Sequence, residues 1–229
     1  MKELTVKLNR NELIPGWIYY CLQLFVLPII ISFILVTMNP GISDAILNFI
    51  FFCINFIAVA IIFHKYLLDN LTIAVQTPLR CLGSAAIGIA AYWLMSIVVT
   101  FVIFFIKPDF YNVNDAYIDT MVQEHYGLIA FATVLLVPIT EEALYRGLMF
   151  GAIYNRNKLA AYLLSTVVFA AVHVIGYIGT YDTLTLALCL LQYLPAGLCL
   201  GWAYARSNSI WAPILMHISI NLISMSSMR

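Results

Sequence analysis

Long apolar stretches, seldom interrupted by charge, constrain this chain more than any other feature of its sequence. Hydrophobic residues make up 63% of the 229 positions and charged residues only 10%, whereas a soluble globular domain carries about 25% charged residues. A helix that spans a bilayer needs about 20 mostly apolar residues. The sequence therefore predicts an all-α polytopic membrane protein with about seven transmembrane helices. The seven windows are 17–38, 45–67, 81–106, 126–154, 159–178, 184–204 and 210–225.

The fourth window, 126–154, is longer than one span requires and contains Pro138. A proline inside a helix removes a hydrogen bond and kinks or breaks the helix, so this window predicts either a kinked helix or two helices, which would raise the count to eight. The hydrophilic stretch 107–125 predicts an outer acidic loop. We expect a single domain over residues 1–229, in which residues 1–125 form three N-terminal helices and this loop.

Basic residues divide unevenly between the two predicted sides of the membrane. With the N-terminus inside, the inner segments hold eight lysines and arginines and the outer segments hold two. Because lysine and arginine accumulate in cytoplasmic loops, the sequence predicts a cytoplasmic N-terminus and an external C-terminus. The inner residues are Lys2, Lys7, Arg10, Lys65, Arg80, Arg156, Lys158 and Arg206, and the outer residues are Lys107 and Arg229.

The charge balance and the cysteines exclude several other classes of partner. Net charge is zero and no basic tract is present, so we expect no nucleic acid and only membrane lipid around the helices. Short loops without added domains favour a prokaryotic cell membrane. The cysteines lack paired C-x-x-C spacing and are interpreted as small core residues. They are Cys21, Cys53, Cys81, Cys189 and Cys199.

Three charged residues lie inside the fourth apolar window, in the stretch "ITEEALYRG". An ionised side chain near the bilayer centre costs about 2.5–3.5 kcal/mol on insertion scales. Glu142 and Arg146 are four residues apart, so a helix brings them together on one face. Glu141 points about 100° away from that face, and it therefore needs a partner from another helix.

Two later windows supply polar side chains that could meet Glu141. Phe169 and His173 lie one turn apart in the fifth window, and His217 and Asn221 lie one turn apart in the seventh. At about 1.5 Å per residue from the inner helix ends, Glu141 lies roughly 20 Å deep, His173 roughly 21 Å and His217 roughly 11 Å. These depths predict one shared polar cavity, and the shallower histidine favours access from the cytoplasmic side.

These motifs, taken in order, resemble those of a known family. Glu-Glu-x-x-x-Arg, Phe-x-x-x-His and His-x-x-x-Asn in separate apolar helices are similar to the CPBP intramembrane proteases. This family comprises type II CAAX prenyl proteases and bacteriocin-processing enzymes and is also called the Abi family. The stretch "LPAGLCLGWAYARSNSIWAPILMHISINL" resembles the family as well. The likeness covers about residues 126–225 and implies a CPBP-like core formed by the last four helices.

The resemblance implies catalytic roles for five residues of this sequence. Glu141 would activate a water molecule with assistance from His173. Glu142 would hold its helix in place and help to order that water. His217 and Asn221 would donate hydrogen bonds to the oxyanion that forms on the scissile carbonyl, because hydrolysis needs donors aimed at developing negative charge.

Two further residues would support the site, and zinc is considered as a possible ligand of the same residues. Arg146 would hold the motif helix in place, and Phe169 would shape the cavity. Two histidines and a glutamate are ligand types that zinc accepts, but the usual H-E-x-x-H arrangement is absent. We therefore expect no cofactor, and zinc bound by Glu141, His173 and His217 is the alternative.

The predicted function is an intramembrane endopeptidase that hydrolyses a peptide bond in a membrane-associated protein or peptide. Prenylated C-termini and leader peptides are the substrate types that the resemblance implies. An ion-coupled transporter is one alternative, since buried Glu, Arg and His also mark ion pathways, although no internal repeat supports it. The other alternative is a non-catalytic immunity or scaffold protein built on the same fold.

Overall fold

Helices form nearly all of the regular structure in the computed structural model, which describes residues 3–228. No β-strand occurs in that range, so the all-α prediction is confirmed. Lys2 and Arg229, which entered the charge distribution, lie outside the described residues. The helices are α1 (Arg10–Phe25), α2 (Leu27–Met38), α3 (Asp44–Ile62), α4 (His64–Gln76), α5 (Pro78–Ile106), α6 (Val113–Tyr154), α7 (Lys158–Val172), α8 (Thr183–Ser207) and α9 (Trp211–Ser227).

The lengths and apolar surfaces of these helices define an integral membrane protein. Five helical segments are long and apolar enough to span a bilayer, and the bent pair α1 and α2 makes a sixth. The shorter α9, with 17 residues, corresponds to the seventh predicted window. Large apolar side chains face outward, as with Leu79 (86% exposed) and Phe105 (80%) on α5. In water such a surface would be unfavourable, but it suits contact with lipid.

Two of the predicted N-terminal spans differ from the observed helices. The window 17–38 is not one helix, because α1 and α2 meet at a 50° bend. Pro28 stands in the first turn of α2, and a proline there cannot continue the hydrogen bonding of the preceding helix. The window 45–67 ends early, at Ile62. The helix that follows, α4, was not predicted because its sequence is only weakly apolar.

The predicted outer loop is shorter than expected, since only residues 107–112 are non-helical, and of the two alternatives for the fourth window the break at Pro138 is wrong. Residues from Val113 onward are helical, and Asn112 caps the first turn by accepting from the backbone N–H of Asn114 at 3.0 Å. The helix then continues through Pro138 to Tyr154 and is 42 residues long in all. The kink in α6 lies instead at His125, where the backbone leaves helical geometry (φ −147°, ψ 70°).

Wide turns explain how α6 accommodates its proline. Two π-helical stretches, Ala132–Leu136 and Ala143–Phe150, flank the ordinary α-helical turn Val137–Glu142. In the first stretch, the Val137 N–H bonds to the Ala132 carbonyl five residues earlier. A wider register of this kind absorbs one extra residue and occurs often at functional sites. The two glutamates therefore lie on a short turn between two irregular segments.

One end of the bundle gathers the turns that carry most of the predicted inner basic residues. The N-terminal segment is tied to the turn between α6 and α7, where the Leu4 N–H donates to Asn155 Oδ1 at 2.9 Å. Arg80 Nε donates to the Arg206 carbonyl at 2.7 Å and so joins the start of α5 to the end of α8. We call this region the basic end of the bundle.

The other end of α5 lies beside acidic side chains. Lys107 Nζ donates to Thr185 Oγ1 at 2.6 Å and lies 3.5 Å from Asp182 Oδ2. Asp182 caps α8, and hydrogen bonds from the Thr185 hydroxyl and backbone lower the pKa of Asp182 to about 2. Nearby, Glu124 Oε2 accepts from the Ala45 N–H at 3.2 Å. We call this region the acidic end.

Helices α7 and α8 approach each other closely at Gly197. A Cβ atom at that position would lie 2.8 Å from Thr166 Cγ2 and 3.0 Å from Thr166 Cα. Real side chains do not tolerate such contacts without a shift of backbone, so glycine is required here. The close approach brings the Gly197 carbonyl within reach of Arg146 on α6.

Candidate active site

The buried charge cluster contains the ion pair that the sequence predicted. Arg146 Nε lies 3.2 Å from Glu142 Oε2, and Arg146 Nη1 donates to Glu142 Oε1 at 3.3 Å. Both side chains are 0% exposed. Two opposite charges in such a site neutralise each other, whereas either one alone would be strongly unfavourable.

Arg146 also connects α6 to the two neighbouring helices. Its Nη2 donates to the Gly197 carbonyl of α8 at 3.1 Å. Its guanidinium carbon lies 4.6 Å from the ring centroid of Phe169 on α7, a cation–π contact. The Phe169 ring centroid lies 4.8 Å from that of His173 and 6.0 Å from that of His217. Phe169 thus contacts the Arg146 guanidinium and lies beside both histidine rings.

His217 faces both glutamates. Its Nδ1 lies 2.9 Å from Glu142 Oε1, and its Nε2 lies 3.9 Å from Glu141 Oε2. An ionised carboxylate only accepts hydrogen bonds, so the Nδ1 proton is assigned to the bond with Glu142. The longer separation exceeds hydrogen-bond distance. An oxygen atom between Nε2 and the Glu141 carboxylate could lie within reach of both.

Glu141 is the less constrained of the two carboxylates. Its side chain is 21% exposed, whereas that of Glu142 is fully buried. Glu141 Oε2 is buried and makes no hydrogen bond within the described part of the chain. A carboxylate oxygen without a partner is available to accept a proton or a hydrogen bond from a bound molecule.

His173 lies where α7 ends. The predicted span 159–178 is helical only to Val172, and a short 3₁₀ turn, Ile175–Tyr177, follows. His173 Nδ1 donates to the Phe169 carbonyl at 2.7 Å, since a carbonyl can only accept. The imidazole stacks on the Tyr193 ring with centroids 4.3 Å apart and an interplanar angle of 25°. These contacts fix the ring and leave Nε2 for another partner.

Asn221 makes a contact that spacing alone did not predict. Its Nδ2 donates to the Thr133 carbonyl of α6 at 2.7 Å. The side chain lies one turn beyond His217 on α9, as expected. One of its amide protons is therefore engaged by protein backbone.

One cavity of about 640 Å³ brings the predicted residues together. Glu141 from α6, His173 from the end of α7, and His217 and Asn221 from α9 all line it, whereas Glu142 and Arg146 lie behind its wall. Apolar side chains form much of the remaining lining. They include Leu24, Phe51, Phe52, Ile118, Met121 and Val172.

A second polar group lines the cavity near His173 and was missed in the sequence. Tyr193 donates its hydroxyl proton to Asp115 Oδ1 at 2.9 Å and accepts from Asn114 Nδ2 at 3.0 Å. Asp115 and Asn114 belong to the stretch predicted as a solvated loop. Tyr193 is a single tyrosine in an apolar helix, and the sequence pattern did not indicate a functional role for it. The lining thus extends towards the acidic end, whereas the estimated depth of His217 favoured access from the opposite side.

The same side chains bear on the zinc alternative. Among residues 3–228, no group of three or more His, Cys, Asp and Glu side chains is close enough to hold a metal ion. His217 Nδ1 bonds to Glu142, and His173 Nδ1 bonds to a carbonyl. As placed, these residues do not form a zinc site.

Comparisons with known proteins place the C-terminal segment in a family. Residues 123–223 match the family model "Type II CAAX prenyl endopeptidase Rce1-like". The chain is 34% identical over 95 residues to "UPF0177 protein YxdF" of Lactococcus lactis subsp. lactis (strain IL1403), covering 42% of this chain and 47% of that protein. It is also 34% identical over 95 residues to "Putative membrane peptidase YdiL" of Bacillus subtilis (strain 168), covering 41% of this chain and 34% of that protein. The chain thus spans less than half the length of either curated relative.

The matches and the fold together define a class of membrane-embedded, protease-related helical proteins. Within that class, residues 123–223 are similar to the CPBP family, of the Rce1-like type. The predicted family resemblance is therefore confirmed. No solved structure matches the chain.

Proposed function

We propose that this protein is an intramembrane endopeptidase in which Glu141 activates the attacking water. The observation that carries the proposal is the shared cavity, in which residues from three helices surround an unpartnered carboxylate oxygen. A Glu, two His and an amide around one cavity can supply the base and the hydrogen-bond donors that peptide hydrolysis needs. The Rce1-like match supports the same reaction class.

In the proposed reaction, Glu141 removes a proton from water as the water oxygen bonds to the scissile carbonyl carbon. The carbonyl oxygen becomes an oxyanion in the tetrahedral intermediate. The proton then passes from Glu141 to the leaving amide nitrogen, and the carbon–nitrogen bond breaks. General acid–base catalysis of this kind contributes about 10²- to 10⁴-fold to the rate.

His217 is the proposed donor to the oxyanion. Its Nδ1–H is anchored on Glu142, so the ring orientation is fixed and Nε2 is directed into the cavity. When Nε2 also carries a proton, the charge of Glu142 compensates that of the ring, as a carboxylate does for a catalytic histidine. Asn221 lines the same cavity, but its amide already donates to the Thr133 carbonyl.

His173 is proposed to assist Glu141 in orienting the water. Its Nδ1 proton lies on the Phe169 carbonyl, which leaves Nε2 as an acceptor. An acceptor can hold the second proton of a water molecule while Glu141 takes the first. The stacked Tyr193 ring keeps the imidazole in this orientation.

The proposed substrate is a peptide segment of a membrane-anchored protein or peptide. The lining combines the polar residues of the site with apolar side chains such as Phe51, Phe52 and Met121. Such a surface suits a short extended peptide that carries apolar side chains or a lipid group. A prenylated C-terminus and a leader peptide both satisfy this description.

The test compares cells that carry the wild type with cells that carry Glu141→Gln, by labelling new protein termini and identifying them by mass spectrometry. The substitution preserves side-chain size and removes the base. We expect a small set of new termini that appears only with the wild type. The purified wild type in liposomes should then cut synthetic peptides that span those sites.

Controls separate this proposal from the two alternatives. The wild type and Glu141→Gln should fold equally, as judged by circular dichroism and elution volume. Identical termini in the two strains would contradict the protease proposal. Proton or ion flux through liposomes that changes with Glu141→Gln, without any cleavage, would indicate a transporter instead. A scaffold protein would show neither difference.

A further inference from the structure

The wide turn in α6 leaves the Thr133 carbonyl opposite a residue that cannot donate to it. In this turn the Val137 N–H bonds to Ala132, five residues earlier. Continuing the same register, the Thr133 carbonyl would take the N–H of position 138. That position is proline, which has no N–H. Thr133 is only 7% exposed, and a buried carbonyl without a partner destabilises a helix inside a membrane.

Asn221 supplies the missing donor from another helix. Its Nδ2 lies 2.7 Å from the Thr133 carbonyl oxygen. The contact joins α9 to α6 at the turn that precedes Glu141 by two helical turns. The amide thus replaces, from the side, the backbone hydrogen bond that Pro138 removes.

We infer that Asn221 is a positioning residue, which stabilises the wide turn and thereby directs Glu141 towards His217. If the wide turn returned to the ordinary α-helical register, the following helix would rotate by about 100°. Glu141 lies three residues after Pro138, so such a rotation would turn its carboxylate away from the cavity. Asn221 then affects hydrolysis through the backbone of α6 rather than by contact with the oxyanion.

Restoring the N–H at position 138 tests this role. Pro138→Ala gives the helix its own donor, and the Asn221 amide should then become dispensable. The experiment is a double-mutant cycle with Asn221→Ala made in the wild type and in the Pro138→Ala background. Each variant is compared with its own parent, so the direct effect of losing the proline cancels.

The cycle has a kinetic and an unfolding readout. The kinetic readout uses a fluorescence-quenched peptide with a farnesylated cysteine in liposomes and rests on the proposed hydrolase function. In the wild type, Asn221→Ala should lower kcat at least about 100-fold, since a displacement of a reacting group by as little as about 1 Å has that effect, with KM little changed. In the Pro138→Ala background the loss should be less than about threefold.

Thermal unfolding in detergent measures the contribution of the Asn221–Thr133 hydrogen bond to stability and does not depend on enzymatic activity. Asn221→Ala should lower the melting temperature by about 5 °C in the wild type, because a buried carbonyl loses its donor. The decrease should be absent in the Pro138→Ala background. If no variant cleaves the peptide, the proposed function fails for this substrate, and unfolding alone decides the role of Asn221.

Two outcomes would overturn the inference. Equal losses of kcat in both backgrounds would show that Asn221 acts on the reacting groups directly, as an oxyanion donor would. An unchanged melting temperature for Asn221→Ala in the wild type would show that the Thr133 contact stabilises nothing. Ser219→Ala is the matched control on α9, since its hydroxyl bonds to the Leu215 carbonyl of its own helix, and it should change neither readout.

Discussion

Removal of the Arg146 guanidinium tests how the buried charge cluster stabilises the bundle. Arg146 and Glu142 are both 0% exposed, with Nε and Oε2 3.2 Å apart. In Arg146→Met, the buried Glu142 carboxylate would retain a single hydrogen bond, from His217. Breaking a buried ion pair by removing one partner costs about 3–5 kcal/mol. We expect the free energy of unfolding to fall by about that amount.

A double variant separates the cost of an unpaired buried carboxylate from the cost of lost Arg146 packing contacts. In Glu142→Gln with Arg146→Met, no buried charge is left alone, and replacing both members of a buried pair is often close to neutral. We therefore expect the double variant to lie within about 1–2 kcal/mol of the wild type and to be more stable than Arg146→Met. Unfolding in mixed micelles by increasing SDS, followed by circular dichroism, measures the difference.

The result that would refute this reasoning is equal destabilisation in the single and double variants. The loss would then come from the contacts of Arg146 with Gly197 and Phe169 rather than from the isolated carboxylate. Arg80→Met is the matched control. Arg80 is exposed and donates to a carbonyl at the basic end, so its loss should change stability by about 0.5 kcal/mol or less.

Three further predictions concern the chemistry and the helix packing. Glu141→Gln should lower kcat by about 10²- to 10⁴-fold with an unchanged melting temperature, and a residual rate near that of wild type would exclude Glu141 as the base. Activity should survive prolonged dialysis against EDTA and 1,10-phenanthroline, and a loss that zinc alone restores would contradict the assignment of water activation to Glu141 without a metal. Gly197→Ala should lower the melting temperature because its Cβ would meet Thr166 at 2.8 Å, whereas Gly83→Ala, with nothing within 4 Å, should not; equal effects would contradict the close approach of α7 and α8.

Relations within one helix followed directly from the sequence. The four-residue spacing of Glu142 and Arg146 predicted their ion pair, and the one-turn spacing of Phe169 and His173 is matched by ring centroids 4.8 Å apart. Both depend only on helix periodicity. The long apolar windows gave the fold class for a similar reason, because composition alone decides whether a helix can lie in lipid.

Relations between helices could be predicted only in part. The convergence of the motifs followed from their approximate depths, but the pairing of His217 with Glu142 depends on how α9 is rotated against α6. The wide turns of α6 change the direction in which all later side chains of that helix point. No residue type in the sequence predicts where such turns occur. Asp115 escaped notice because an acidic stretch usually indicates a solvated loop, whereas here it begins a helix that lines the cavity.

The opposite placement of the basic end and of the polar cavity lining has a cellular consequence. Loop charges predict that the basic end faces the cytoplasm, while Asn114, Asp115 and Tyr177 extend the cavity lining towards the other end. For the proposed protease, a cleavable segment that enters along this polar lining would first have to be exported. Secretion would then precede cutting, and cytosolic peptides of the same sequence would be spared.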